Sequence, residues 1–430
     1  MKVLAAVALL VGVIVPAAAP AAASAPLTGA AGEYFPLAPT RILDTRLGTG
    51  GITGPINADA PIDLKVTGKA GVPATGVLSV ALNVTVDSPS ANGFLTVFPA
   101  GATRPDTSTL NFLAGQAAPN LTVVGVSDLG AVTFVITNGI GGKFTGQIIV
   151  DIVGWYANST VTTPGSRLST VNPQRILDTR RNFGGSGPVG KDGEIEVQIA
   201  GKFADVNGAQ VNTLDAVVLN LTVAGATSTS FDTVYPADQA RPDVSNTNVQ
   251  AGKDKAALVM VKVPTNGKIH IYNALGSVQF IADVVGFYRG GADPATNAGR
   301  VLPLSAPFRA IDSRVTDVRV GTAQTDTWTL DPTLASPGIQ PFCPCGGIIM
   351  NVTGTDATAP TFLTVFPADP RPDASTVNFA SGEAVANLTV AKLAPGTDSA
   401  GTAYQSGLKF YNASGFTNYL GDVTAIIQSD

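Results

Sequence analysis

The chain writes one domain-sized pattern three times, and any fold it adopts must be built from that repeat. Arg41-Ile-Leu-Asp-Thr-Arg46 returns as Arg175-Ile-Leu-Asp-Thr-Arg180 and as Arg309-Ala-Ile-Asp-Ser-Arg314, at intervals of 134 residues. Phe94-Leu-Thr-Val-Phe-Pro99 returns at Phe231 and at Phe362. Arg104-Pro-Asp106 returns as Arg241-Pro-Asp243 and Arg371-Pro-Asp373, each with an asparagine five residues beyond its aspartate: Asn111, Asn248 and Asn378. An apolar closing segment carries Asp151, then Asp283, then Asp422. A period of this length holds a whole core, unlike the short units of a solenoid. Polar linkers at 158–165 and 290–299 separate the copies. The domains expected are a leader over 1–25 and repeats over 33–158, 166–290 and 301–430.

Alternation of period two runs through each copy. Val80, Leu82, Val84 and Val86 share one face of a strand, and Ala81, Asn83 and Thr85 the other. Copy one offers about eight such strands, near Arg41, Ile62, Val80, Phe94, Leu110, Leu121, Val132 and Ile148, and no helical window competes. The fold class expected is all-β: three tandem antiparallel β-sandwich domains, jelly-roll-like, after a signal peptide. With its own closing strand and flanking linkers, each copy is expected to fold alone.

Lys2, the apolar run Val3 to Val15 and the small residues from Ala17 to Ala25 have the order of a secretory signal peptide. Cleavage after Ala23 or after Ala25 fits, with Pro26 favouring Ala23. The mature chain is therefore expected to be secreted, extracellular or at the cell surface, with no membrane insertion. A net charge of −5 argues against a nucleic-acid partner. The 47 glycines and 30 prolines, with only 13% charged residues, suit short strands joined by turns. Cys343 and Cys345 are the only cysteines; two thiols do not make a four-ligand zinc site, and whether they are bonded is open. Neither a metal nor a cofactor is expected.

Candidate sites follow from recurrence. On the closing strand, alternation puts Asp151 with Ile149, Val153 and Trp155, opposite Val150, Ile152 and Tyr156. A carboxylate in so apolar a strand needs a partner. Arg41, Asp44 and Arg46, with Asp151, Asp283 and Asp422, are therefore expected to form structural pairs, and Asp44 with Arg46 is expected to pin a turn. By the same alternation Asp44 and Arg46 point one way, Arg41 the other. The Arg-Pro-Asp loops are the candidate ligand sites: Arg104, Asp106 and Asn111, then Arg241, Asp243 and Asn248, then Arg371, Asp373 and Asn378, presented together to a glycan or ion. A capped turn is the competing reading. Seven Asn-x-Ser/Thr sequons, at Asn83, Asn120, Asn158, Asn220, Asn351, Asn387 and Asn412, read mostly as by-products of the pleat. His270, the only histidine, is expected to lie on a strand without a suitable partner. With no elbow, phosphate loop or histidine-based zinc motif, no catalytic residue is expected.

At these landmarks the chain resembles a tandem repeat of secreted and surface proteins of actinobacteria and related bacteria. The matching residues are Arg41 to Arg46, Leu82-Asn-Val-Thr-Val86, Phe94 to Pro99, Arg104 to Phe112 and Val150-Asp-Ile-Val-Gly-Trp-Tyr156. The resemblance implies an extracellular accessory module without assigned activity. Copy two departs from it at Ala257, where the others have Asn120 and Asn387. Copy three departs at Ala425, where the others have Gly154 and Gly286.

The function expected is non-catalytic surface binding or adhesion, to a cell-wall or extracellular polysaccharide or a surface protein, through repeated weak sites that gain by linkage. The alternatives are a structural protein of an envelope layer or fibre and, further off, a glycoside hydrolase.

Overall fold

The computed structural model describes residues 27–138, 145–316, 318–329, 345–397 and 403–429; the leader and Cys343 lie outside them. Cys345 is disulfide-bonded. The described chain is all-β, with a single 3-10 turn at Thr179–Arg181 and no α-helix. No helix among the described residues is long and apolar enough to cross a membrane.

Copy one contributes β1 (Tyr34–Asp44), β2 (Ile56–Asn57), β3 (Ile62–Lys65), β4 (Val77–Asp87), β5 (Gly93–Pro99), β6 (Leu110–Phe112), β7 (Ala118–Gly125), β8 (Ala131–Thr137) and β9 (Thr145–Ala157). Copy two contributes β10 (Arg167–Asp178), β11 (Gly193–Gln198), β12 (Ala216–Ala224), β13 (Ser230–Pro236), β14 (Thr247–Val249), β15 (Lys255–Lys262), β16 (Lys268–Asn273) and β17 (Gln279–Arg289). Copy three contributes β18 (Val301–Asp312), β19 (Gln324–Thr329), β20 (Cys345–Thr355), β21 (Thr361–Phe366), β22 (Val377–Phe379), β23 (Val385–Lys392), β24 (Ala394–Thr397), β25 (Ala403–Asn412) and β26 (Asn418–Gln428).

Six antiparallel sheets result, two from each copy, and none mixes strands of two copies. The first sheet of copy one has the order β1-β9-β4-β7 and the second β3-β8-β5-β6. Copies two and three repeat both orders, as β10-β17-β12-β15 with β11-β16-β13-β14, and β18-β26-β20-β23 with β19-β25-β21-β22. Within each copy one apolar cluster takes side chains from both sheets. In copy one Val80, Leu82, Val84 and Val86 of β4 join Leu95, Val97, Phe134 and Ile136 of the second sheet. Copies two and three have equivalent clusters.

The alternate face of β4 is not solvated. Ala81, Leu121, Val123, Val153 and Tyr156 of copy one join Ala216, Val218, Leu258, Met260 and Tyr288 of copy two and Ile349, Leu388, Val390, Ala425 and Ile427 of copy three in one further cluster. The three first sheets thus meet face to face, and their strands are buried on both sides. A sheet apolar on both faces must be covered on both. The linkers mark the boundaries of the sheets, but one of the five apolar clusters among the described residues belongs to no single copy, which bears against the expectation that each copy folds alone.

Where β1, β10 and β18 begin, the centre is closed by charge. Glu33 accepts from Arg167 Nε at 3.0 Å and lies 3.3 Å from Arg300, all three side chains being buried. Arg300 also donates to the carbonyls of Gly29 and Ala31. Beneath them Tyr34, Tyr156 and Tyr288 pack together, with the Tyr156 and Tyr288 hydroxyls 2.5 Å apart.

A β-bulge corrects one detail of the pleat. Gly154 pairs with Ala81 but Ile152 pairs with Leu82, so Val153 is the extra residue. Side chains beyond it change face. Trp155 therefore enters the core of copy one, stacked on Phe35 at 4.3 Å, and Tyr156 takes the face of Val153 between copies.

Cut free of its neighbours, copy one exposes Leu121, Val123, Val153 and Tyr156 together. Residues 33–158 expressed alone should bind a hydrophobic dye and associate or unfold on size-exclusion chromatography. A monomer with a sharp thermal transition would show that the shared cluster is dispensable.

Candidate functional site

Two arrangements gather the recurring polar residues: a ring of junctions between copies and a cavity where the copies converge.

Each junction begins at the strand carrying Arg-Ile-Leu-Asp-Thr-Arg. Register shifts between Arg41 and Leu43 bend β1 against β9. The bend brings Arg41 and Asp44 to the same side, where strict alternation would separate them. Arg41 Nε donates to Asp151 Oδ1 at 2.9 Å and its Nη1 to Asp44 Oδ2 at 3.3 Å. Arg46 closes the turn, its backbone N–H, Nε and Nη2 all donating to Asp44 at 2.8 to 3.0 Å. Arg175 with Asp283 and Arg180 with Asp178 repeat this geometry, as do Arg309 with Asp422 and Arg314 with Asp312. Asp151, Asp283 and Asp422 are each about 1% exposed. The Arg46 side chain holds Asp44 below the usual carboxylate range. Burial outweighs Arg41 at Asp151 and pushes its carboxyl up to about 6. Asp283 and Asp422 are raised for the same reason.

The third component comes from a neighbouring copy. Asp243 lies 3.7 Å from Arg41, and Asp373 accepts from Arg175 at 3.4 Å and from Arg181 at 3.3 Å. Copy one returns the contact to copy three, where the backbone N–H of Ser108 and the charge of Asp106 act on Asp422. Beside each arginine a buried asparagine donates to the loop's serine carbonyl: Asn83 to Ser245, Asn220 to Ser375, and Asn351 to Ser108 at 2.6 Å. Copy two's loop sits on copy one, copy three's on copy two, and copy one's on copy three. The ring closes.

The Arg-Pro-Asp motif is therefore split, contrary to the expectation that its three polar residues face one ligand together. Arg104 turns back to Asp59 at 3.2 Å, and Arg241 and Arg371 stack over Tyr272 and Tyr411 at 3.7 and 4.0 Å. Asp243 and Asp373 face the arginine of the preceding copy, whereas the charge of Asp106 acts on Asp422 of copy three. Only Asn111, Asn248 and Asn378 meet, in the wall of the cavity.

Sequons also acquire a physical role. Asn120 Nδ2 donates to Asn351 Oδ1 at 2.8 Å, and Asn387 Nδ2 to Asn220 Oδ1 at 3.2 Å. Their own carbonyls accept from Leu388 N and Leu258 N of adjoining copies. Ala257 interrupts this second ring in copy two. These strand asparagines serve as cross-copy latches, and at 1 to 4% exposure they are closed to a glycosylating enzyme in the folded chain. His270 also differs from expectation: its Nδ1 lies 3.3 Å from the Tyr235 hydroxyl and 3.4 Å from Glu194, with Glu196 3.6 Å from Nε2. No described group of three or more His, Cys, Asp or Glu residues could hold a metal.

The cavity lies at the opposite end from Glu33. Val86 pairs with both Ala118 and Ile148, and Asp44 with Ile149, so the loops after β1, β4 and β6 share that end. Its volume is about 500 Å³, and equivalent segments of all three copies line it: 111–118, 248–255 and 378–385. Phe112, Val249 and Phe379 give it an apolar floor, and Gln116, Lys253, Lys255 and Glu383 supply further polar groups. Sequence reasoning missed these last four. Their signal was divergence among aligned positions (Gln116, Lys253 and Glu383; Ala118, Lys255 and Val385), whereas recurrence drew attention to the motifs.

No family model matches the chain, and no curated protein matches it. Among solved structures, the atomic structure of Sulfolobus turreted icosahedral virus matches at 11% identity over 95% of this chain and 99% of that one, with a TM-score of 0.17. A structure of an archaeal virus described by a triple jelly-roll fold and turret assembly matches at 10% identity over 93% and 90%, also with a TM-score of 0.17. Likeness at that score carries no argument about this chain.

Removing Asp151 leaves Arg41 half-desolvated, with Asp44 and the distant Asp243 as remaining partners. Asp151→Ala should cost about 3 kcal/mol, at the low end for a buried pair broken from one side, read as a lowered chemical-denaturation midpoint. A pH series checks the same carboxyl. Its folded value of about 6 lies above the 3.8 of an unperturbed aspartate. Protonation therefore favours the folded state, and this contribution is present at low pH and lost as pH rises through about 6. Asp151→Asn should flatten the stability profile between about pH 4 and about pH 6; an unchanged slope would mean the carboxylate stays ionised.

Proposed function

We propose that the chain is a secreted, non-catalytic binding protein that takes one saccharide ligand in the cavity where its three copies meet, each copy being a jelly-roll sandwich. The sandwich reading rests on strand order and on the apolar cluster shared by two sheets. The order first-eighth-third-sixth facing second-seventh-fourth-fifth, counted over the eight main strands, is that of a jelly roll.

The observation that carries the binding reading is the cavity itself. It is concave, floored by the buried Phe112, Val249 and Phe379, and carries three convergent asparagine side chains. A concave site where polar side chains converge over an apolar floor is the usual place for a small-molecule ligand. Amides suit hydroxyl and acetamide groups because they donate and accept together. The loops once expected to act as three separate weak sites are engaged in the junctions, which favours one ligand per chain over repeated attachment. A hydrolytic reading is disfavoured by how the cavity's carboxylates are held. Glu383 Oε2 accepts from Ala380 N at 2.9 Å, and Asp254 Oδ1 from Gly225 N at 3.1 Å.

A structural role in an envelope layer has one observation in its favour. Leu47, Phe183, Leu275, Val315, Val318 and Phe416 are exposed in loops after the first strand or before the closing strand of a copy, at the cavity end. Ordered sheets or fibres from the purified chain would mark that role.

The mature chain should be retained by purified bacterial cell wall and bind members of a glycan array. Asn111→Ala combined with Asn248→Ala and Asn378→Ala should lower retention about tenfold while leaving the melting temperature nearly unchanged. Equal retention by the triple variant would remove the cavity as the site.

A further inference from the structure

Copies two and three contribute the charges of the cavity, Lys253, Asp254, Lys255 and Glu383, and only Lys253 and Glu383 are paired in a salt bridge among the described residues. Lys253 Nζ lies 3.5 Å from Glu383 Oε1. Glu383 and Asp254 are further held by backbone N–H groups. Lys255, half-buried at the start of β15, takes part in no salt bridge among the described residues. Its equivalents are Ala118 and Val385, so neither neighbouring copy places a carboxylate at the aligned position, and Glu383 of copy three acts on it only from beyond salt-bridge distance. A desolvated cation without a partner is costly, and a ligand that supplies the missing anion recovers that cost.

The polar groups around it are biased towards donation. Asn248 Oδ1 and Asn378 Oδ1 are occupied by the hydroxyls of Ser245 and Ser375, at 3.3 and 3.0 Å. That leaves the amide N–H groups of both residues for the cavity. Asn111 differs, its Oδ1 being buried with no partner in the protein. Two amide donors and an ammonium describe a ligand rich in acceptor oxygens, whereas Asn111 Oδ1 is closed off from the cavity. Pro360 and the half-buried Phe362 add apolar surface for the carbon face of a ring.

We propose that the ligand is a carboxylate-bearing saccharide unit, its carboxylate against the Lys255 ammonium and its ring oxygens on the Asn248 and Asn378 amides. This rests on the saccharide reading above and narrows it to acidic sugars. Burial pushes Lys255 down to about 8, against the pull of Glu383. It stays largely charged near neutrality and loses its proton under mildly alkaline conditions. Glu383, Lys253 and Asp254 are the other charged groups that line the cavity.

The test is calorimetric titration of the mature full-length chain with glucuronate and with glucose, a pair that differs at one carbon. Glucuronate should bind at least about tenfold more tightly at about pH 6, the worth of one charge-assisted contact. The preference should shrink as pH rises through about 8. Lys255→Met should abolish it with no loss of melting temperature, and Lys255→Arg should keep most of it. If both sugars bind equally, and binding falls in the triple asparagine variant, the acidic preference is overturned and the saccharide site stands. If the preference survives Lys255→Met, another cation is responsible and the assignment to this cavity fails. If neither sugar binds and the wall-retention assay is also negative, the saccharide reading falls with it.

Discussion

Everything in this molecule depends on burying both faces of the first sheet in each copy. Strands β4, β12 and β20 are buried on both sides, so a lone copy would leave one side wet. Meeting at a common centre is the arrangement that covers three such faces at once. Hydrophobic association has little directional preference, so it does not by itself dictate which sheet meets which or at what height. The polar groups around the cluster do. Each buried asparagine has one serine carbonyl to find, and each Arg–Asp pair meets one loop. A rotated or slipped arrangement would strand several desolvated donors at once.

That division of labour explains why conspicuous motifs yield no obvious ligand site. Arg41, Asp44 and Asp151 form a network within the copy that fixes the end of one strand against the closing strand. The neighbouring Asp243 reads that network from outside. A recurring charged motif can serve assembly as easily as binding, and recurrence alone does not separate the two. The cavity is then what remains once the junctions have formed: the hollow at the end of the common axis, where sequences diverge.

The strands were legible because period-two alternation and turn residues act locally, and Arg41 and Asp151 could be matched because an aspartate in an apolar strand demands a partner. Contacts between copies were not. Ala81 and Asn83 look like an ordinary outer face, since small and polar residues there suit water as well as a neighbouring sheet. Trp155 was assigned to the wrong face because one extra residue, Val153, reverses the pleat and leaves no mark in composition. Lys255 went unnoticed for a related reason. A lysine opening a strand looks like a solvated edge until two other copies are placed around it.

Linking three copies in one chain has a consequence at their common axis. Three identical chains would set identical side chains there, and a lysine at the position of Lys255 would face two more lysines at close range. Covalent linkage removes that restriction. Each copy can change its axial residues alone while the junctions, which need the same partners three times, stay alike. The result is a nearly symmetric scaffold around an asymmetric chamber, with Ala118 and Val385 as the uncharged counterparts of Lys255.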